Sequence, residues 1–127
     1  MDTISKIRDK ARANKKIVVL PEHNDKRVVE AAKIIEAQGL AIPFLLTPDR
    51  IDLKEKQRYI EEFYELRKAK GIDVESVRKL FEDPLYYAAM LTREGKVDGF
   101  VAGASHTPAD VCRSAISCVG LDVRLLF

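Results

Sequence analysis

Hydrophobic positions along this chain come in two patterns, short β-branched runs and stripes at helical spacing, and their order predicts strands alternating with helices. Asp2 or Thr3 can cap a first helix that runs to about Asn14. Ile17 to Leu20 then reads as a buried parallel strand ending at Pro21. Asn24 is a natural cap for an amphipathic helix in which Val28, Ala31, Ala32 and Ile35 share one face, and Gly39 supplies its stop. Ala41 to Leu46 forms a second strand, and Pro43 within it implies an edge or a strand start, because proline cannot donate to the ladder.

A turn at Thr47, Pro48 and Asp49 leads into a long charged helix from about Asp52 to Lys70, with Ile60, Phe63, Tyr64 and Arg67 on one stripe. Gly71 ends it, and Asp73 caps a short helix through Phe81. Asp83 and Pro84 then restart the chain as a helix whose Leu85, Ala88, Ala89 and Leu91 face inward. Val97 to Ala102 is a third strand, Gly103 to His106 a loop, and Thr107 to about Cys118 the last full helix. Leu121 to Phe127 reads as the start of a fourth strand. The expected fold class is α/β: a three-layer, doubly wound, mostly parallel sheet that is incomplete at about four strands, formed by residues 1–127 as one domain. The incomplete edge at Leu121 to Phe127 invites pairing with another copy, so a homodimer or a strand swap is expected.

Charge narrows the function classes. The 22 Lys and Arg residues nearly balance the 20 Asp and Glu residues, which argues against a nucleic-acid partner. Met1 to Ala13 mixes acidic and basic residues, unlike a signal or transit peptide, and no apolar run approaches the length that spans a bilayer. A cytoplasmic protein with no membrane partner is expected. Cys112 and Cys118, about 9 Å apart on one helix, are too distant for a disulfide and fit a reducing compartment. No ligand set for a metal is visible, and the thiols read as packing residues rather than nucleophiles.

The sharpest chemical signal is Thr107-Pro108-Ala109-Asp110, a helix start with a capping residue and proline at its first position. At the carboxyl edge of an open α/β sheet, such a strand-to-helix loop offers backbone N–H groups and the positive end of a helix dipole to an anion. Arg113 in the second turn can reach back toward it. Arg67, on an otherwise apolar stripe, must snorkel to the edge or meet an anion. Plain salt bridges of Arg113 with Asp110, and of Arg67 with Glu61 or Glu62, explain the same residues without function. Ser105, His106, Glu22 and His23 likewise serve as ordinary turn and loop residues unless a partner is found beside them.

Several segments, taken in order, resemble the phosphate acetyltransferase (phosphotransacetylase) family. They are Val18-Val19-Leu20-Pro21-Glu22 with Arg27, Phe63-Tyr64-Glu65-Leu66-Arg67-Lys68 with Lys70-Gly71, Asp83-Pro84-Leu85-Tyr86-Tyr87, and Lys96-Val97-Asp98-Gly99. The strongest is Val101-Ala102-Gly103-Ala104-Ser105-His106-Thr107-Pro108-Ala109-Asp110 with Arg113, similar to the family segment S-G-A-x-H-S-T-A-D-x-x-R.

The resemblance implies acyl transfer between coenzyme A and inorganic phosphate. Arg67 and Arg113 match catalytic arginines, Ser105, His106, Thr107 and Glu22 are substrate-binding candidates, and coenzyme A or acetyl-CoA is a substrate with no permanently bound cofactor. Ala102 and Pro108 depart from the family's hydroxyl residues, and the passage from Leu46 to Glu61 is shorter than usual, so one strand is expected to be missing. The family enzyme is more than twice as long and takes further catalytic residues, a Ser-Arg pair and an Asp base, from its other half. The resemblance therefore implies an N-terminal portion that is inactive alone. A non-catalytic sensing or assembly module of the same fold, and a butyryl-transferring relative, stay open as alternatives.

Overall fold

The computed structural model of the chain describes residues 2–120. Among these residues six α-helices and three strands follow in the order α1 (Thr3–Ala13), β1 (Ile17–Leu20), α2 (Lys26–Ala37), β2 (Ile42–Leu45), α3 (Leu53–Arg67), α4 (Val74–Leu80), α5 (Pro84–Arg93), β3 (Gly99–Phe100) and α6 (Pro108–Cys118). The strands form a parallel sheet in the order β2-β1-β3, with Val19 of β1 level with Phe44 on one side and Phe100 on the other. Helices lie against both faces of the sheet, so the class is α/β as the alternating pattern predicted. Pro43 sits in β2, which has a neighbour only on the β1 side among the described residues, the placement its missing N–H requires. The expected fourth strand at Leu121 to Phe127 lies outside the described residues.

Most helix starts are set by an aspartate whose side chain accepts an otherwise orphaned backbone N–H: Asp2 from Ser5, Asp52 from Lys54 and Glu55, Asp73 from Ser76, and Asp83 from Leu85. For α2 the cap is Asp25 rather than the expected Asn24. Asp25 accepts from the Arg27 amide at 2.9 Å and pairs with the Arg27 guanidinium at 2.8 Å, a double engagement that a neutral Asn24 side chain cannot offer. At the cap of α3, Asp52→Ala should cost about 1 kcal/mol in urea unfolding, with unchanged secondary structure by circular dichroism.

The third strand is shorter than expected, Gly99–Phe100 instead of Val97 to Ala102. The ladder to β1 still extends through Asp98 N–H to Ile17 O at 2.9 Å and Val101 N–H to Val19 O at 3.0 Å. Gly103, at φ 131°, then turns the chain into a region that side chains disfavour, and the extended run ends.

One face of the sheet holds the core. Val19 packs with Leu46, Tyr59, Phe63, Val77, Phe81, Leu85, Tyr86, Tyr87 and Met90, all buried. Phe63, Phe81 and Tyr86 form a triangle of rings with centroids 5.7 to 5.9 Å apart, which joins α3, the end of α4 and α5. The other face is thinner: α2 buries no residue fully, and Val18, Leu20, Val28, Ile35 and Val101 line an apolar groove of about 360 Å³. No described helix is long and apolar enough to cross a membrane.

Candidate active site: the β3–α6 loop and the arginine groove

The strand ends place Pro21 and Glu22 beside the loop that leaves β3, and this loop is not the open anion cradle that the sequence predicts. The Glu22 carboxylate fills it. Its oxygens accept from the backbone N–H groups of Gly103 at 2.9 Å, Ala104 at 3.0 Å and Ser105 at 2.5 Å, from the Ser105 hydroxyl at 3.0 Å, and from His106 Nδ1 at 2.9 Å. Glu22 is 3% exposed, so these bonds are what makes its burial tolerable. Burial alone would raise its pKa, but the bonds from Ser105, His106, Ala104 and Gly103 outweigh that and hold it at about 2. A further tie comes from Arg27, whose guanidinium donates to the Ala104 carbonyl.

His106 bridges two carboxylates. Its Nδ1 faces Glu22 and its Nε2 faces Asp83 Oδ2 at 2.7 Å, while the other oxygen of Asp83 caps α5 through the Leu85 amide at 3.0 Å. Glu22, Ser105 and His106 are thus brought together, as partners of one another. Thr107 caps α6 by accepting from the Asp110 amide at 3.2 Å, as its motif predicts.

The two arginines also converge, at the other side of α6. Arg67 and Arg113 line one groove of about 430 Å³ with Lys70, over apolar walls that include Phe63, Tyr86 and Ile116. Arg67 does not pair with Glu61 or Glu62. Its Nε and Nη2 donate to the carbonyls of Ile116 and Ser117 at 3.0 to 3.3 Å, groups that the end of α6 leaves without helical partners. Its Nη1 makes no hydrogen bond among the described residues. Arg113 does make the pair with Asp110, at 3.3 Å, but with both side chains largely exposed this contact is worth about 0–1 kcal/mol and leaves the guanidinium free to turn.

The groove runs on toward the loop. Arg113 also lines an adjoining hollow with Asp83 and Asp110, and Asp83 in turn lines the polar depression formed by Glu22, His23, Ser105 and His106. The surface therefore offers a cationic, partly apolar trough at one end and an internally neutralised loop at the other. Cys118 is buried at the end of α6, and burial pushes its thiol up to about 12, so it stays neutral and unreactive. Cys112 is exposed.

Sequence reasoning did not bring Lys70, Tyr86 or Asp83 into the site. Asp83-Pro84 was legible as a helix start and as part of a family-like segment, but nothing local marks its second oxygen as the partner of a histidine in another loop.

The family model described as Phosphate acetyl/butaryl transferase matches residues 2–124. The chain is 35% identical to the phosphate acetyltransferase of Thermoanaerobacterium thermosaccharolyticum, covering 94% of this chain and 42% of that protein, and 36% identical to that of Clostridium acetobutylicum, with the same coverage. A crystal structure of a phosphotransacetylase from Streptococcus pyogenes superposes with a TM-score of 0.77 at 30% identity, covering 93% of this chain and 43% of that one. The chain thus spans under half the length of the curated relatives it matches. A family match over the whole described length, together with the shared fold, means that this chain belongs to the phosphate acetyl/butyryl transferase family.

Proposed function

We propose that this chain supplies the phosphate-holding part of an acyltransferase that moves an acetyl group between coenzyme A and inorganic phosphate. The observation that carries this reading is the convergence of Arg67 and Arg113 on one groove with Lys70, although the two arginines come from different helices. Arg67 is pre-positioned by the α6 carbonyls, its Nη1 making no hydrogen bond among the described residues, and Arg113, held there only by an exposed pair with Asp110, can turn to close on an anion. Attack of phosphate on a thioester, or of the coenzyme A thiolate on acetyl phosphate, builds negative charge in the transition state. Guanidinium groups at that place stabilise it more than they stabilise the ground state. The apolar walls suit the organic arm of a coenzyme A thioester.

In this reading Glu22, Ser105 and His106 act through the loop they fix, which presents Thr107 and the start of α6. The substrates are small molecules, the compartment is cytoplasmic, and two copies pair as a homodimer. One observation favours binding without turnover by this chain alone: both ring nitrogens of His106 are engaged, which leaves it unsuited to act as a general base. Acyl-chain choice, acetyl or butyryl, would be set by walls beyond this groove.

The test is Arg113→Ala, followed by calorimetric titration with phosphate and with coenzyme A. Affinity should fall on the order of tenfold, the effect of losing a charge-assisted bond, while the melting temperature stays unchanged because the side chain is largely exposed. A folded variant with undiminished affinity for both ligands would remove Arg113 from the site.

A further inference from the structure

The His106 contacts demand a particular protonation state. A neutral imidazole has one N–H donor and one lone pair, so it can satisfy only one of two ionised carboxylates. Here Nδ1 lies 2.9 Å from Glu22 Oε2 and Nε2 lies 2.7 Å from Asp83 Oδ2. Both carboxylates are committed as acceptors elsewhere, Glu22 to three backbone amides and Asp83 to the Leu85 amide. Only the imidazolium donates to both.

We propose that His106 is a positioning residue that works as a cation: while protonated, it clasps the Gly103–Thr107 loop to the start of α5, and deprotonation releases the Asp83 end of the clasp. The charged groups around it are Glu22 and His23 from the end of β1, Asp83 from the start of α5, and Arg27 from α2, which contacts the loop through the Ala104 carbonyl. Glu22 is buried whereas the Asp83 side chain is 39% exposed, so the bond to Asp83 is the one that water can replace. Burial pushes the His106 pKa down, but the bonds to Glu22 and Asp83 outweigh it, so the folded value is raised. The stabilising contribution is then complete below the ordinary imidazole range and is lost as pH rises through the raised value of His106 itself. The clasp concerns the loop alone. Its consequence for Arg113, carried by the helix that this loop starts, rests on the anion-binding reading above.

The experiment is a pH titration of the chain by nuclear magnetic resonance, following the His106 ring and the Ser105 and Thr107 amides, in the natural sequence and in Asp83→Asn. Asparagine keeps the capping acceptor of α5, so the fold is retained while the charge is removed. We expect the His106 midpoint to lie above that of an unstructured histidine, the two amides to move with the same midpoint, and Asp83→Asn to shift all three downward. Phosphate titrations on either side of that midpoint should show weaker binding on the alkaline side. A His106 midpoint at or below the ordinary value, a midpoint that ignores Asp83→Asn, or loop amides that do not follow the ring would each overturn the clasp. None of these outcomes bears on whether the groove binds phosphate, and absence of phosphate binding at any pH would leave the ring titration interpretable.

Discussion

Replacing Glu22 by alanine should destabilise the protein by about 3–5 kcal/mol, the size associated with breaking a buried charged interaction by removing one partner. Three backbone amides, the Ser105 hydroxyl and His106 would all lose their acceptor at once, in a place where only a cavity replaces it. The same carboxylate predicts an acid limit. A fall in pKa from the ordinary 4.5 to about 2 corresponds to about 3 kcal/mol of stability. Because the folded value is the lower one, that contribution is present above the ordinary value and disappears as pH falls through about 2. Urea unfolding of the natural chain and of Glu22→Ala at neutral and acidic pH checks both points. The gap between them should narrow as the pH drops, and a gap that does not change with pH would mean that packing rather than charge makes Glu22 important.

Phe81→Ala is expected to cost a similar amount, about 3–5 kcal/mol, since a fully buried ring leaves a void that the surroundings can only partly fill. Phe81 packs edge-on to Phe63 and against Tyr86, which are also walls of the arginine groove. The substitution should therefore weaken ligand binding as well as stability, because the wall that holds the groove in shape loses its backing. Denaturant unfolding gives the first effect, and titration with coenzyme A well below the melting temperature gives the second. Full affinity in a destabilised but folded variant would show that the groove does not depend on the aromatic triangle.

The elements were legible in the sequence wherever their signals are local. Caps at Asp73 and Thr107, the helix restart at Asp83-Pro84, the glycine stop at Gly71, and the β-branched run Ile17–Leu20 act within a few residues, and each stands where its pattern put it. The α2 cap moved by one residue because Asp25 gains an ion pair that capping preference alone does not weigh. The site was legible only in part. Arg67 stood out because a cation on an apolar stripe needs an explanation, and Arg113 because the second turn of its helix lets it reach back toward the helix start; they do share a groove. What the sequence could not show is that the loop's amides are taken by a carboxylate 81 to 83 residues away. That pairing depends on parallel strands β1 and β3 ending side by side, a long-range fact with no local trace.

The most direct measurement is a titration of the isotopically labelled chain with coenzyme A and with phosphate, reading the arginine side-chain signals and backbone amides. The account predicts saturable shifts centred on Arg113, Arg67 and Lys70, with Ser105 and Gly103 amides little changed because Glu22 already holds them. Saturable shifts centred instead on the Gly103 to Ser105 amides, with the arginines silent, would contradict it and return the anion to the loop.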